Sequence, residues 1–156
     1  MHRFYIQQEL SIGEVSIESL QIVHQLTKVL RIRPGERIIF FNSSGYDYTA
    51  EILLYSKGSV RVSILEKIEN LRELSKKIIL HQGMIKKDFF ELVLEKGTEV
   101  GVFAFHPFIA VRSVKKDFSI ERGKKIIREA AEQSGRAILP ELFEPKSFEH
   151  SLDFFE

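Results

Sequence analysis

The chain has 156 residues, 44% of them hydrophobic and 29% charged, which is typical of a globular protein with a buried core. It contains no cysteine, which excludes disulfide bonds, thiolate metal ligands and a cysteine nucleophile. The net charge is only +1, but residues 71–140 hold fourteen Lys and Arg against nine Asp and Glu. This local excess suits a polyanion, although an ordinary solvated surface is the simpler explanation of charge alone.

The chain carries no apolar segment typical of membrane insertion or secretion. Its most apolar run, residues 100–111, is interrupted by His106 and Pro107 and falls short of the roughly 20 residues that span a bilayer. The first ten residues lack a signal-peptide core. We therefore expect a cytoplasmic, soluble protein.

The first element after a short extended start is predicted to be a helix over residues 16–36. Its apolar side chains recur at three- and four-residue spacing, and Pro34 with Gly35 ends it. One helix would also bring three basic side chains into a stripe opposite the apolar one: His24, Lys28 and Arg31. Phosphate contact and an ordinary wet helix face both explain such a stripe.

The next segment, residues 37–69, has the period of strands. It contains three β-rich runs separated by the turn-forming sequences NSSG and SKGS. These predict antiparallel strands joined by hairpins, and closure of so few strands into a small barrel would remove exposed edges.

From about residue 71 strands and helices alternate. Strands are predicted at residues 76–83 and 102–108, and helices at residues 84–101 and 121–136, which indicates parallel βαβ units. A further helix is predicted to begin near Phe148, with Ser147 as its N-cap. A sheet of only two parallel strands would leave apolar surface uncovered, so we expect self-association.

Common catalytic signatures are absent from the sequence. There is no nucleophile elbow, no phosphate-binding glycine loop and no zinc-protease motif, and the five histidines are scattered, so a metal site is not expected. Lys86 and Lys87 open a helix where a strand ends, although lysines there oppose the helix dipole. Gly97 interrupts a helical pattern, which either close packing or close approach of a ligand would explain.

The end of the second helix is unusually polar. Gly135 is a candidate C-cap, and Glu132 with Arg136 could form an ion pair at i, i+4 spacing. Capping does not explain why Gln133 and Arg136 lie beside it. Together with Arg112 and Ser113 after the second strand, they would form a set of hydrogen-bonding groups suited to phosphate and a base edge.

Several segments resemble the ribosomal RNA small subunit methyltransferase E family in order and spacing. They are MHRF at the start, KVLRIRPGE, LHQGMIKKD, EKGTEVGV followed by RS, and EAAEQSGR. The resemblance implies a mixed α/β protein: a PUA-like RNA-binding β-barrel over residues 1–70, then the first part of a SPOUT-type methyltransferase domain over residues 71–156. It also implies methylation of a uridine at N3 in 16S ribosomal RNA with S-adenosylmethionine, and a homodimer.

The resemblance assigns an RNA-facing set and leaves the catalytic residues open. The set comprises Arg3, Lys28, Arg31 and Arg33 on the barrel, and Lys86, Lys96, Glu99, Arg112, Gln133 and Arg136 on the α/β rim, where the helix end would line a uridine pocket. In the family the cofactor site and knot lie in a segment after the helix that begins near Phe148, and the sequence ends at Glu156. The alternative function is therefore an RNA-binding module without catalysis.

Overall fold

The computed structural model describes residues 1–111 and 118–152, and the chain divides into two compact units. The first unit spans Met1–Arg72 and the second Glu73–Glu156. Strands build the first unit, whereas strands and helices alternate in the second. The predicted mixed α/β fold class is confirmed.

The first unit is a five-stranded sheet with one short helical segment. Its elements are β1 (Arg3–Tyr5), β2 (Gly13–Glu18), α1 (Leu20–His24), a π-helical segment (Gln25–Val29), β3 (Arg37–Phe41), β4 (Tyr46–Ser56) and β5 (Ser59–Glu69). The sheet order is β1-β3-β4-β5-β2, and the hairpins joining β3, β4 and β5 are antiparallel as predicted. Strand β1 pairs in parallel with β3. All five strands contribute to one apolar core, so the sheet curves around it.

The predicted helix over residues 16–36 is wrong at both ends. Residues 13–18 form β2, because alternate side chains such as Ile17 are buried while Glu14 and Glu18 face solvent. Ser19 then caps α1 through its Oγ, which accepts a hydrogen bond from the Ile22 amide at 3.2 Å. The helical segment ends at Val29, so the predicted basic stripe does not lie on one helix.

The second unit is a sheet with helices packed against it. Its elements are β6 (Ile78–Gly83), α2 (Lys87–Glu99), β7 (Val102–Ile109), α3 (Ile120–Ser134), β8 (Glu141–Leu142), β9 (Lys146–Ser147) and α4 (Phe148–Leu152). Strands β6 and β7 are parallel, which confirms the βαβ prediction. Strands β8 and β9 also pair in parallel with β7, so the sheet has more than the two strands predicted. Each of these strands is two residues long, and they lie on either side of Pro145. A strand of two residues is too short to show a hydrophobic period in the sequence.

Both ends of α3 are capped, and the cap at its carboxyl end is the predicted one. Ser119 Oγ accepts from the Arg122 amide at 3.3 Å, and Gly135 adopts the left-handed conformation, with φ of +84°, while its amide donates to Ala131. Gly135 is therefore the predicted C-cap. Ser147 likewise accepts from the His150 amide at 3.4 Å as the N-cap of α4.

Gly97 lets α2 pack directly on the sheet. A Cβ atom at this position would lie 2.6 Å from Cε1 and 2.8 Å from Cζ of Phe105, whose ring is 1% exposed. Phe105 lies in the core that α2 and α3 share with β7 and β8. The structure thus explains Gly97 by close packing and not by a ligand.

Replacing Gly97 with alanine is expected to destabilise the second unit. Overpacking a closed core costs about 1–3 kcal/mol, and the helix propensity of alanine returns about 1 kcal/mol at most. Thermal and urea unfolding would measure the difference, with Lys96→Ala, an exposed position of the same helix, as the control. A Gly97→Ala protein as stable as the parent would contradict the packing explanation.

Candidate nucleic-acid interface

Three exposed cations in the first unit lie within six residues of one another. We call residues 28–36 the basic loop; its cations are Lys28, Arg31 and Arg33, and all three are exposed. Within the part of the chain that the structure describes, none of them forms an ion pair. Their charges are therefore available to a polyanion.

The basic loop has a defined backbone. Arg31 has a φ of +57°, a left-handed conformation that costs a residue other than glycine about 1–2 kcal/mol. Arg33 begins a turn in which Pro34 and Gly35 take the central positions, closed by the Glu36 amide donating to the Arg33 carbonyl at 3.1 Å. A strained arginine beside a tight turn is a feature typical of binding sites.

In the second unit, Lys86 lies where such a sheet commonly binds ligands. It is exposed and follows the carboxyl end of β6, immediately before α2. Lys96 and Glu99 lie at the opposite end of α2, about 15 Å or more away at 1.5 Å per residue. They also pair with each other, because Lys96 Nζ lies 2.9 Å from Glu99 Oε1. The predicted rim is therefore divided between two edges of the unit.

The prediction that Arg136 contacts RNA is wrong, because its guanidinium is a buried structural group. Arg136 is 5% exposed, and its Nη2 and Nε lie 2.7 and 3.2 Å from Oε2 of Glu73. Its Nη1 also donates to the carbonyl oxygens of Thr98 and Val102. Val102 begins β7, so the end of α3 lies at the amino edge of the strands, opposite Lys86.

Glu73 binds the backbone that follows α3 as well as the side chain of Arg136. Its Oε1 accepts hydrogen bonds from the amides of Ala137 and Ile138 at 2.9 and 3.0 Å. Burial by itself would raise the pKa of Glu73, but the hydrogen bonds and charge of Arg136, with these two amides, outweigh it and lower the pKa. Arg136 at the polar end of α3 thus anchors the residues after the helix.

Arg3 is a second arginine whose predicted RNA contact the structure contradicts. Its side chain is 9% exposed and pairs with Asp47, which also accepts a hydrogen bond from Asn70 Nδ2 at 3.0 Å. The guanidinium lies 5.1 Å from the centre of the Phe41 ring. Arg3 therefore fastens β1 to the sheet.

The remaining members of the predicted set divide in two. Gln133 and Glu99 are exposed and line a groove of about 400 Å³ between α2 and α3. Carboxylates dominate the groove, which makes it unsuited to a phosphate backbone; they belong to Asp88, Glu91, Glu95, Glu99 and Glu129. Arg112 lies outside the described residues.

Two histidines are neighbours across β6 and β7. His81 and His106 are in register, with ring centroids 4.9 Å apart, and His106 also stacks on Phe143 at 4.1 Å. Burial, followed by the proximity of His81, lowers the pKa of His106, which favours its neutral form.

Within the described ranges no cluster of three or more ligating side chains could hold a metal ion. None of the helices described there has the length and hydropathy of a bilayer span.

Sequence reasoning missed the acidic partners of both buried arginines. Glu73 is 63 residues from Arg136, and Asp47 is 44 residues from Arg3. No local pattern connects residues so far apart. The flanking residues give no signal either, because Arg3 and Arg136 are each followed by an apolar residue, as the exposed Arg31 is.

Two family models match the chain. An RNA methyltransferase domain model matches residues 72–156, and an RNA methyltransferase PUA domain model matches residues 21–65. These matches define the class: a PUA domain followed by an RNA methyltransferase domain. The predicted order of a PUA-like domain and a methyltransferase domain is thereby confirmed.

Curated and structural relatives agree with this class. The chain is 35% identical over 97% of its length to ribosomal RNA small subunit methyltransferase E of Bacillus subtilis. It is also similar to the Neisseria gonorrhoeae enzyme of that name bound to S-adenosyl methionine, at 31% identity and a TM-score of 0.89 over 98% of the chain. The chain belongs to the ribosomal RNA small subunit methyltransferase E family. It spans 63% of the length of the Bacillus relative and 65% of the Neisseria chain.

Proposed function

We propose that the chain acts as an S-adenosylmethionine-dependent methyltransferase that modifies N3 of a uridine in 16S ribosomal RNA. Membership of the methyltransferase E family is the observation that carries this proposal. The Neisseria relative, bound to S-adenosyl methionine, supports the choice of methyl donor. The position N3 and the 16S molecule follow from the family resemblance of the sequence.

In this proposal the first unit holds RNA through the basic loop. Lys28, Arg31 and Arg33 are exposed cations without carboxylate partners among the described residues, as phosphate contacts require. Lys86 would add a contact from the second unit. Arg112 stays in the proposed set on the strength of the resemblance.

The groove between α2 and α3 is a poor candidate for the site of the methyl donor. The groove between α2 and α3 runs along the outer sides of the helices, whereas open α/β sheets bind cofactors beyond the carboxyl ends of their strands. Its charged groups are already engaged, since Glu91 pairs with Arg122 and Glu99 with Lys96. No catalytic step is therefore assigned to the groove.

The chemistry of the proposed reaction sets one clear requirement. N3 of uridine carries an imide proton, and its lone pair is available to attack a methyl group only after that proton leaves. The base would have to lie within hydrogen-bonding reach of N3. The pairing of Glu99 with Lys96 disfavours this carboxylate as that base.

Methyl transfer to small ribosomal subunits tests the proposal directly. The full chain would be incubated with methyl-labelled S-adenosylmethionine and subunits that lack the modification, and the RNA nucleosides would then be separated. The expected product is labelled N3-methyluridine. Label on another atom would contradict the N3 assignment, and RNA binding without label would favour the non-catalytic RNA-binding module.

We extend the proposal to self-association through α2. Phe89 and Leu92 lie three residues apart on α2 and are 60% and 48% exposed, and Ile85, two residues before the helix begins, is 41% exposed. Exposed apolar side chains gathered at the start of one helix favour association. Light scattering of the full chain would show a dimer or larger species. A clean monomer at micromolar concentration would contradict it.

A further inference from the structure

The residue between the two arginines of the basic loop is buried in the core of the first unit. Ile32 is 9% exposed and belongs to the core cluster, whereas Arg31 and Arg33 on either side are exposed. The Ile32 amide donates to the Leu26 carbonyl at 2.9 Å. The two arginines thus lie on either side of a buried residue that anchors the loop.

The carbonyl group of that anchor is held by a tyrosine of β4. Tyr55 Oη donates to the Ile32 carbonyl at 2.9 Å, and Tyr55 is half-buried against the same core. The other side of the loop is bound to β4 by the backbone, since the Gly35 amide donates to Ile52 at 2.8 Å. Tyr55 is therefore a side chain that fixes the peptide group between Arg31 and Arg33.

We propose that Tyr55 is a positioning residue for RNA, holding Arg31 and Arg33 in one preorganised arrangement that contacts neighbouring phosphates. This rests on the proposed function of the basic loop. Arg31 has a left-handed backbone, which an unattached loop would leave for more favourable conformations. When the arrangement is fixed before binding, the entropic cost of ordering the loop no longer weakens the affinity for RNA.

Tyr55→Phe tests this inference, because it removes the hydroxyl and keeps the ring. Binding of a 16S ribosomal RNA fragment to the full chain would be measured for the parent, Tyr55→Phe, Arg31→Ala/Arg33→Ala and the triple variant. Loss of one hydrogen bond predicts an affinity about three- to tenfold lower for Tyr55→Phe. In the background without the two arginines the same substitution is expected to change affinity by less than about twofold, because coupled residues are not additive.

Tyr48→Phe is the matched control. Tyr48 lies on the same strand, but its hydroxyl lies 3.3 Å from Ser44 Oγ at the opposite end of β4, so its loss is expected to leave RNA affinity unchanged. An equal loss of affinity from Tyr55→Phe with and without the arginines would show a general structural effect and overturn the inference. So would an unchanged affinity in Tyr55→Phe. If Arg31→Ala/Arg33→Ala binds RNA as the parent does, the proposed function of the basic loop fails instead.

Discussion

Replacing Arg136 with alanine is expected to lower the free energy of unfolding of the second unit by about 3 kcal/mol, because the substitution leaves the partly buried carboxylate of Glu73 without its counter-ion. The guanidinium is 5% exposed and also donates to two backbone carbonyl groups, which would lose these bonds. Thermal and urea unfolding followed by circular dichroism would measure the loss. RNA affinity measured well below the melting temperature is expected to change little.

Arg122→Ala is the matched control for this prediction. Arg122 also forms a hydrogen-bonded ion pair, with Glu91 at 3.0 Å, but half of its side chain is exposed. Solvent screens such a pair, so its loss is expected to shift the melting temperature little. Similar losses in the two variants would contradict the structural role of Arg136. Replacing Arg136 and Glu73 together by apolar residues is expected to recover part of the stability.

The same ion pair predicts a dependence on acidity. The pKa of Glu73 is lower in the folded chain than its ordinary value of 4.5, so the folded protein favours the charged form. The stabilisation is complete above that ordinary value and is lost as the pH falls through the lower, folded-state pKa. Unfolding of Glu73→Gln, measured across this acidic range, is expected to depend less steeply on pH than unfolding of the parent.

Removing the three cations of the basic loop is expected to weaken RNA binding strongly without unfolding the protein. Each phosphate contact contributes about 0.7–0.9 to the slope of log affinity against log salt concentration, so Lys28→Ala/Arg31→Ala/Arg33→Ala is expected to reduce that slope by about 2–3. The melting temperature is expected to stay close to that of the parent, because all three side chains are exposed. Filter binding at several salt concentrations would measure the slope.

Lys96→Ala serves as the control for charge alone. Lys96 is exposed like the loop cations but lies within 3 Å of carboxylate oxygens of both Glu95 and Glu99. Its charge is already balanced locally, so its removal is expected to leave the salt dependence nearly unchanged. A triple loop variant with the parent's slope would show that RNA is bound elsewhere.

Local pattern was sufficient for much of the fold. The hairpins of β3, β4 and β5 and the alternation of β6, α2, β7 and α3 follow from hydrophobic period and turn residues, which neighbouring residues determine. Strand β2 was missed because residues 13–18 run without a turn signal into the capped helix at Ser19. Strands β8 and β9 were missed because two residues cannot show a period.

The candidate site was predicted less well than the fold. Exposed, unpaired cations such as Arg31 and buried, paired ones such as Arg136 look alike in sequence, since both are followed directly by apolar residues. What separates them is a carboxylate brought close by folding. For Arg136 that carboxylate is 63 residues away, at Glu73.

The sequence by itself determined the family, the order of the longer strands and helices from β3 to α3, and the caps at Gly135 and Ser147, because these depend on residues close together in the chain. Only the tertiary structure decided which arginines remain available to RNA, why Gly97 has no side chain, and that the polar end of α3 is an internal anchor. Burial and charge pairing depend on distances between residues far apart in sequence, and those distances exist only once the chain has folded.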